Sequence, residues 1–170
     1  KTKRIPVEKV EVVLSVAIHH PRRLNKVQEF LVLSGQTLTS LRDKIHCVTD
    51  YIVPGDHSNN PDLSQTAPCQ DICKSGFFYF ENVFYNDMRD GLNRDYSRSL
   101  IDWAKDSEEP WASKLKSSSV ERMEDTKFES LTIRLGYPYL YCHQGNCEHI
   151  VIFTDLRLLH VDDSDNVLDF

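Results

Sequence analysis

The chain has 170 residues, 40% hydrophobic and 27% charged, an ordinary globular composition with enough length to bury a core of its own. No apolar run reaches membrane-spanning length, the longest being FLVL and IVIF, and no signal-peptide pattern opens the sequence. A net charge of −6 argues against a surface that is basic throughout, yet the first 50 residues hold nine Lys/Arg against five Asp/Glu. Any contact with nucleic acid should therefore come from that first third, with the acidic remainder facing proteins or solvent. Five cysteines without a secretory signal point to a reducing compartment rather than a disulfide framework. The start at KTKRIPVE, without Met, reads as a piece of something longer.

Val10 to Ile18, VEVVLSVAI, is rich in β-branched residues and predicts a strand that ends at HHPRR, where Pro21 breaks the ladder. Val27 to Leu33, VQEFLVL, predicts its hairpin partner across a basic connection. In SGQTLTSLRDKIHC, Gly35 marks a turn, Thr37 is a candidate N-cap, and Leu38, Leu41 and Ile45 fall on one helical face. A hairpin followed by a packed helix is the opening of a ubiquitin-like, or β-grasp, arrangement. Residues 53–75 read as a long loop, and GFFYFENVFY, Gly76 to Tyr85, as one aromatic strand. Asp95 is expected to cap a short helix, YSRSLIDWAK, that buries Leu100, Trp103 and Ala104. Residues 106–122 read as polar and exposed. SLTIRL, YPYLY, HIVIF and LRLLHV then predict strands, which makes the fold class α+β: a β-grasp start followed by a mixed sheet with a Cys/His hairpin. The expected layout is 1–52, a loop at 53–75, and a strand-rich 76–170, either separate or continuous with 1–52.

The segment YLYCHQGNCEHIVIF carries the chemistry. Cys142 and Cys147 flank HQGN, Gly145 allows the left-handed backbone that a tight knuckle needs, and His149 lies two residues past Cys147, on the same side of the strand. His160, at the end of the next strand, is the nearest candidate for a fourth ligand. These residues read either as a structural zinc site or as a hairpin turn with two free thiols and a solvated histidine, and the spacing leaves both open. A catalytic cysteine, which needs a positioned base and an oxyanion hole, is the weaker reading. Either Cys could find a His here, but a cysteine pair at a turn suits metal binding better than attack. The zinc-deaminase, metalloprotease, Walker and G-x-G-x-x-G patterns are absent. The protein is therefore not expected to be an enzyme. Cys69 and Cys73, with His57 or His46, form half a metal site at most, and Cys47 on the helix reads as core.

SGFFYFENVFYNDMRD, FLVLSGQTLTSLRDKI and the long run RMEDTKFESLTIRLGYPYLYCHQGNCEHIVIFTDLRLLHVDD closely resemble the third-subunit family of the small-nuclear-RNA-activating protein complex. The resemblance covers most of the chain and implies a nuclear subunit of a multiprotein transcription factor. That factor binds the proximal sequence element of small nuclear RNA promoters and supports initiation by RNA polymerases II and III. It further implies assembly with the first subunit and the Myb-repeat fourth subunit, and contact with double-stranded DNA. The family's metal turn falls on Cys142, Cys147 and His149. After Asp163 the family continues with paired cysteines of a second zinc ribbon, whereas this sequence runs SDNVLDF, so the fourth ligand is either His160 or a cysteine of that ribbon. Candidate DNA contacts are Arg22, Arg23 and Lys26 at the hairpin loop, supported by the arm with Lys1, Lys3 and Arg4. The alternative is a protein–protein scaffold subunit with no direct DNA contact.

Overall fold

The computed structural model describes residues 11–23, 25–56, 58–59, 67–160 and 163. Its strands are β1 (Val12–His19), β2 (Lys26–Leu33), β3 (Gly76–Phe80), β4 (Val83–Asn86), β5 (Ser119–Arg122), β6 (Pro138–His143) and β7 (Cys147–Leu158). They form one sheet in the order β2-β1-β7-β6-β3-β4-β5. Every neighbouring pair is antiparallel except β4 and β5. The helices are α1 (Leu38–Arg42), α2 (Cys69–Ile72), α3 (Tyr96–Asp106) and α4 (Ala112–Lys116).

The α+β class holds, and β1, β2 and α1 follow one another as expected. The ubiquitin-like continuation does not follow. In such a sheet the first and last strands lie parallel at the centre, whereas here β1 is antiparallel to β7. The reason is where β7 enters: the β6–β7 turn lies beyond the His19 end of β1, so β7 must run back against it.

Alternation sorts the sheet into two buried faces. On one, Leu14, Val16, Ile18, Phe30, Val32, Phe78, Phe80, Tyr139, Tyr141, Val151 and Phe153 meet Leu38, Leu41 and Ile45 of α1 and its following turn, with Met123 and Phe128. Rings crowd here: Phe80 meets Tyr139 edge-on at 5.2 Å and Phe153 at 5.5 Å between centroids, the geometry that opposed ring quadrupoles favour. On the other face, Phe77, Phe84 and Cys142 pack with Tyr96 and Ile101 of α3 and Leu115 of α4. Both halves of the chain thus contribute to one sheet.

Five local expectations are corrected. GFFYFENVFY is two strands, because Glu81 and Asn82 both adopt positive φ (42° and 66°) and turn the chain. Asn favours that conformation but Glu does not, which hid the turn. Asp95 does cap α3, accepting from the Arg98 backbone N–H at 3.2 Å. The buried stripe of that helix, however, is Ser97, Ile101 and Ala104, leaving Leu100 and Trp103 37% and 48% exposed. Thr37 occupies the N-cap of α1 without a capping bond; its hydroxyl pairs with Thr39 instead. SLTIRL is not a strand: the Leu131 N–H closes a turn on Phe128 and the Arg134 N–H donates to the Tyr139 hydroxyl. LRLLHV is no separate strand either, since β7 runs unbroken to Leu158.

Candidate metal centre

The β6–β7 hairpin sets which side chains converge. His143 pairs with Cys147 and Tyr141 with His149, so these four share the face that holds α1. The turn closes through Gln144 (φ 52°) and Gly145 (φ 87°), the glycine supplying the left-handed backbone that the sequence suggested. A fourth donor arrives from far away in sequence. Past α1 the chain is held against β2 by Gln28, whose side-chain amide donates to the His46 carbonyl at 2.6 Å and accepts from the His46 N–H at 3.3 Å. The next residue, Cys47, then faces the hairpin.

The result is a cluster of Cys47, His143, Cys147 and His149 whose four donor atoms lie within 4.8 Å of one another. The two sulfurs are 3.5 Å apart, the two imidazole Nε2 atoms 3.1 Å, and Cys147 Sγ to His149 Nε2 3.6 Å. A tetrahedral zinc ion with ordinary bond lengths would space its ligands at about 3.8 Å for S–S, about 3.4 Å for N–N and about 3.6 Å for S–N. These three spacings match that geometry to within about 0.3 Å.

Electrostatics points the same way. Burial pushes the His143 imidazole down to about 4 and lowers that of His149, so both rings are neutral at neutral pH with lone pairs to offer. Burial pushes the Cys147 thiol up to about 11, because a bare thiolate here lacks solvation; a cation among the donors would supply it. A surrounding shell is in place as well. The Thr49 hydroxyl donates to Cys47 Sγ at 3.2 Å and to Cys147 Sγ at 3.4 Å. Asp50, almost fully buried, accepts from the Cys47 N–H at 2.7 Å and from the Gln144 side chain at 2.7 Å, and it sits 3.5 Å from His143 Nδ1. A carboxylate behind a ligating histidine fixes its tautomer and aims its other nitrogen.

Of the residues expected from sequence, Cys147 and His149 meet here and Cys142 and His160 do not. Cys142 pairs with Glu148 across the hairpin and so points to the opposite face, buried beside Phe77 and Phe84. His160 lies 13 residues beyond Cys147, about 40 Å along an extended strand, where its N–H donates to Asp163. Cys47 and His143 take the two places. His143 was legible in principle, since it shares parity with the aromatic core positions Tyr139 and Tyr141; Cys47 was not, being 100 residues from its partner.

Cys73 faces the Tyr96 hydroxyl at 3.6 Å and joins no metal cluster among the described residues; His57 lies outside them. Arg22 and Arg23 are exposed at the β1–β2 turn, where both backbone N–H groups donate to His20 Nδ1 at 3.2 Å. Lys26 is also exposed but pairs with Glu29 at 2.6 Å. Lys1, Lys3 and Arg4 lie outside the described residues.

Fold and site together define a mixed α+β module whose sheet carries a buried four-donor Cys/His cluster able to hold a metal ion. Residues 28–170 match the family model described as snRNA-activating protein complex (SNAPc), subunit 3, and the chain belongs to that family. Proteins named snRNA-activating protein complex subunit 3 from Rattus norvegicus and Mus musculus are each 47% identical to it over 163 residues, covering 92% of this chain. The Bos taurus protein of that name is 45% identical over the same length. The chain spans 39% of the length of these curated relatives.

Proposed function

We propose that this chain is the zinc-braced, DNA-facing part of a nuclear subunit that works at small nuclear RNA promoters. Family membership supports the setting. In this reading the first subunit and the Myb-repeat fourth subunit fix the register on the proximal sequence element, and the assembly supports initiation by RNA polymerases II and III. The role of this chain is non-catalytic.

Two thiolates and two imidazoles make a donor set that suits zinc in a closed structural site. Cys47, His143, Cys147 and His149 would hold the ion, which would cross-link the segment after α1 to the β6–β7 hairpin. That link matters because of what lies beside it, and this is the observation that carries the reading. His19 pairs with Ile150, one residue past His149, so the Arg22–Arg23 turn projects from the same end of the sheet as the cluster. Gln28, two residues into β2, grips the residue preceding Cys47. A rigid base under two exposed guanidinium groups is suited to phosphate contacts, which supply affinity while partners supply register.

The test is promoter binding by the assembled complex at moderate salt. Reversing both charges (Arg22→Glu with Arg23→Glu) should weaken binding by about tenfold or more and flatten its salt dependence. Unchanged binding with intact assembly would refute the contact. The scaffold alternative draws on the net charge of −6 and on the exposed, stacked Trp103–Trp111 pair, a surface suited to a protein partner. Crosslinking from promoter DNA to this chain within the complex separates the two readings.

A further inference from the structure

We propose that Cys47 and Cys147 are a specific oxidation site, joined by a reversible disulfide when the protein meets hydrogen peroxide. Their sulfurs are already 3.5 Å apart, and both residues are partly open to solvent, so a small oxidant can reach them. Closing to a bond requires about 1.5 Å of approach. Cys142 and Cys73 are placed differently. Cys142 is buried on the far face of β6, so the two cysteines nearest in sequence on the hairpin cannot face each other. Cys73 is turned toward the Tyr96 hydroxyl. The Thr49 hydroxyl touches both sulfurs of the proposed pair and holds them side by side.

The chemistry balances. One thiol attacks the peroxide oxygen, forming a sulfenic acid and releasing water; the second attacks that sulfur, forming the S–S bond and expelling the hydroxyl as a second water. Two thiols are oxidised by two electrons, and one peroxide is reduced to two waters. A disulfide bridging residues 47 and 147 removes both thiolates from the cluster. Oxidation and metal binding therefore exclude each other, a consequence that rests on the zinc reading above, whereas the pairing itself rests on the sulfur geometry alone.

The experiment uses the purified chain, reduced and stripped with EDTA, then treated with hydrogen peroxide, digested without reduction and mapped by mass spectrometry. The expected main product is a peptide pair joined through Cys47 and Cys147, two hydrogens lighter than its parts and reversed by dithiothreitol. The Cys142→Ser variant should give the same product and Cys47→Ser should give none. Dominant Cys142–Cys147 or Cys69–Cys73 links, or sulfinic acids without a cross-link, would overturn the assignment. Should Cys47→Ser fail to fold, the wild-type map decides alone. In a parallel arm, preloading with zinc should slow the cross-link markedly, because ligated thiolates cannot attack. Equal rates would overturn the mutual exclusion and count against zinc, while the mapped Cys47–Cys147 link would still stand.

Discussion

Asp50 touches two members of the cluster and the turn beside it without belonging to it: the backbone of Cys47, the far nitrogen of His143 and the side chain of Gln144. The residue is only 8% exposed, a position its carboxylate holds only because each oxygen is engaged. Asp50→Asn keeps the shape but removes the charge behind His143, so zinc affinity should fall by about 10- to 100-fold, read by competition with a chromophoric chelator. An unchanged affinity would mean that Asp50 serves only the backbone turn. At this scale the sequence was half legible. Two residues apart on a strand means one face, so Cys147 and His149 could be paired by counting. Cys142 was named because it flanks HQGN with Cys147, but the register of a hairpin decides face across the turn and HQGN does not announce it.

The elements that frame the cluster are the β6–β7 hairpin and the short segment from α1 to the turn at Val48–Tyr51. Gly145 sits at φ 87°, where any side chain is strained, although an added Cβ would meet nothing closer than the Tyr96 hydroxyl at 3.7 Å. Gly145→Ala should therefore cost on the order of 1–2 kcal/mol through backbone conformation alone. A lower urea midpoint with an unchanged slope would show this, and no shift would mean that the turn relaxes elsewhere. Hairpins with glycine or proline signals were found from sequence, as were β1, β2, β6 and the Asp95 cap. The β3–β4 turn escaped because Glu81 has no intrinsic preference for positive φ; its carboxylate instead accepts bonds from Tyr139 at 2.6 Å and Arg134 at 2.7 Å. That is tertiary compensation, and it leaves no local pattern.

Over the whole molecule, one sheet buries aromatic side chains on both faces, with the cluster at one end linking residues 47 and 143–149. Phe78 is fully buried, stacked with Phe80 at 5.3 Å and against Tyr141 at 4.7 Å between centroids. Phe78→Ala should cost about 3–5 kcal/mol by equilibrium unfolding, and a loss below about 1 kcal/mol would mean that the face collapses to fill the gap. If the ion's binding energy is part of folding energy, chelation should lower the melting temperature reversibly, and zinc should restore it. Long-range pairing is what composition and periodicity could not disclose: neither β1 beside β7 nor Cys47 beside Cys147 follows from any local rule. The central claim is that these four donors, and not Cys142 or His160, hold the metal. Measuring zinc content in the purified wild type and in the Cys47→Ser and Cys142→Ser variants tests it directly. The account predicts about one equivalent in the wild type and in Cys142→Ser, with loss in Cys47→Ser; metal kept by Cys47→Ser and lost by Cys142→Ser would contradict it.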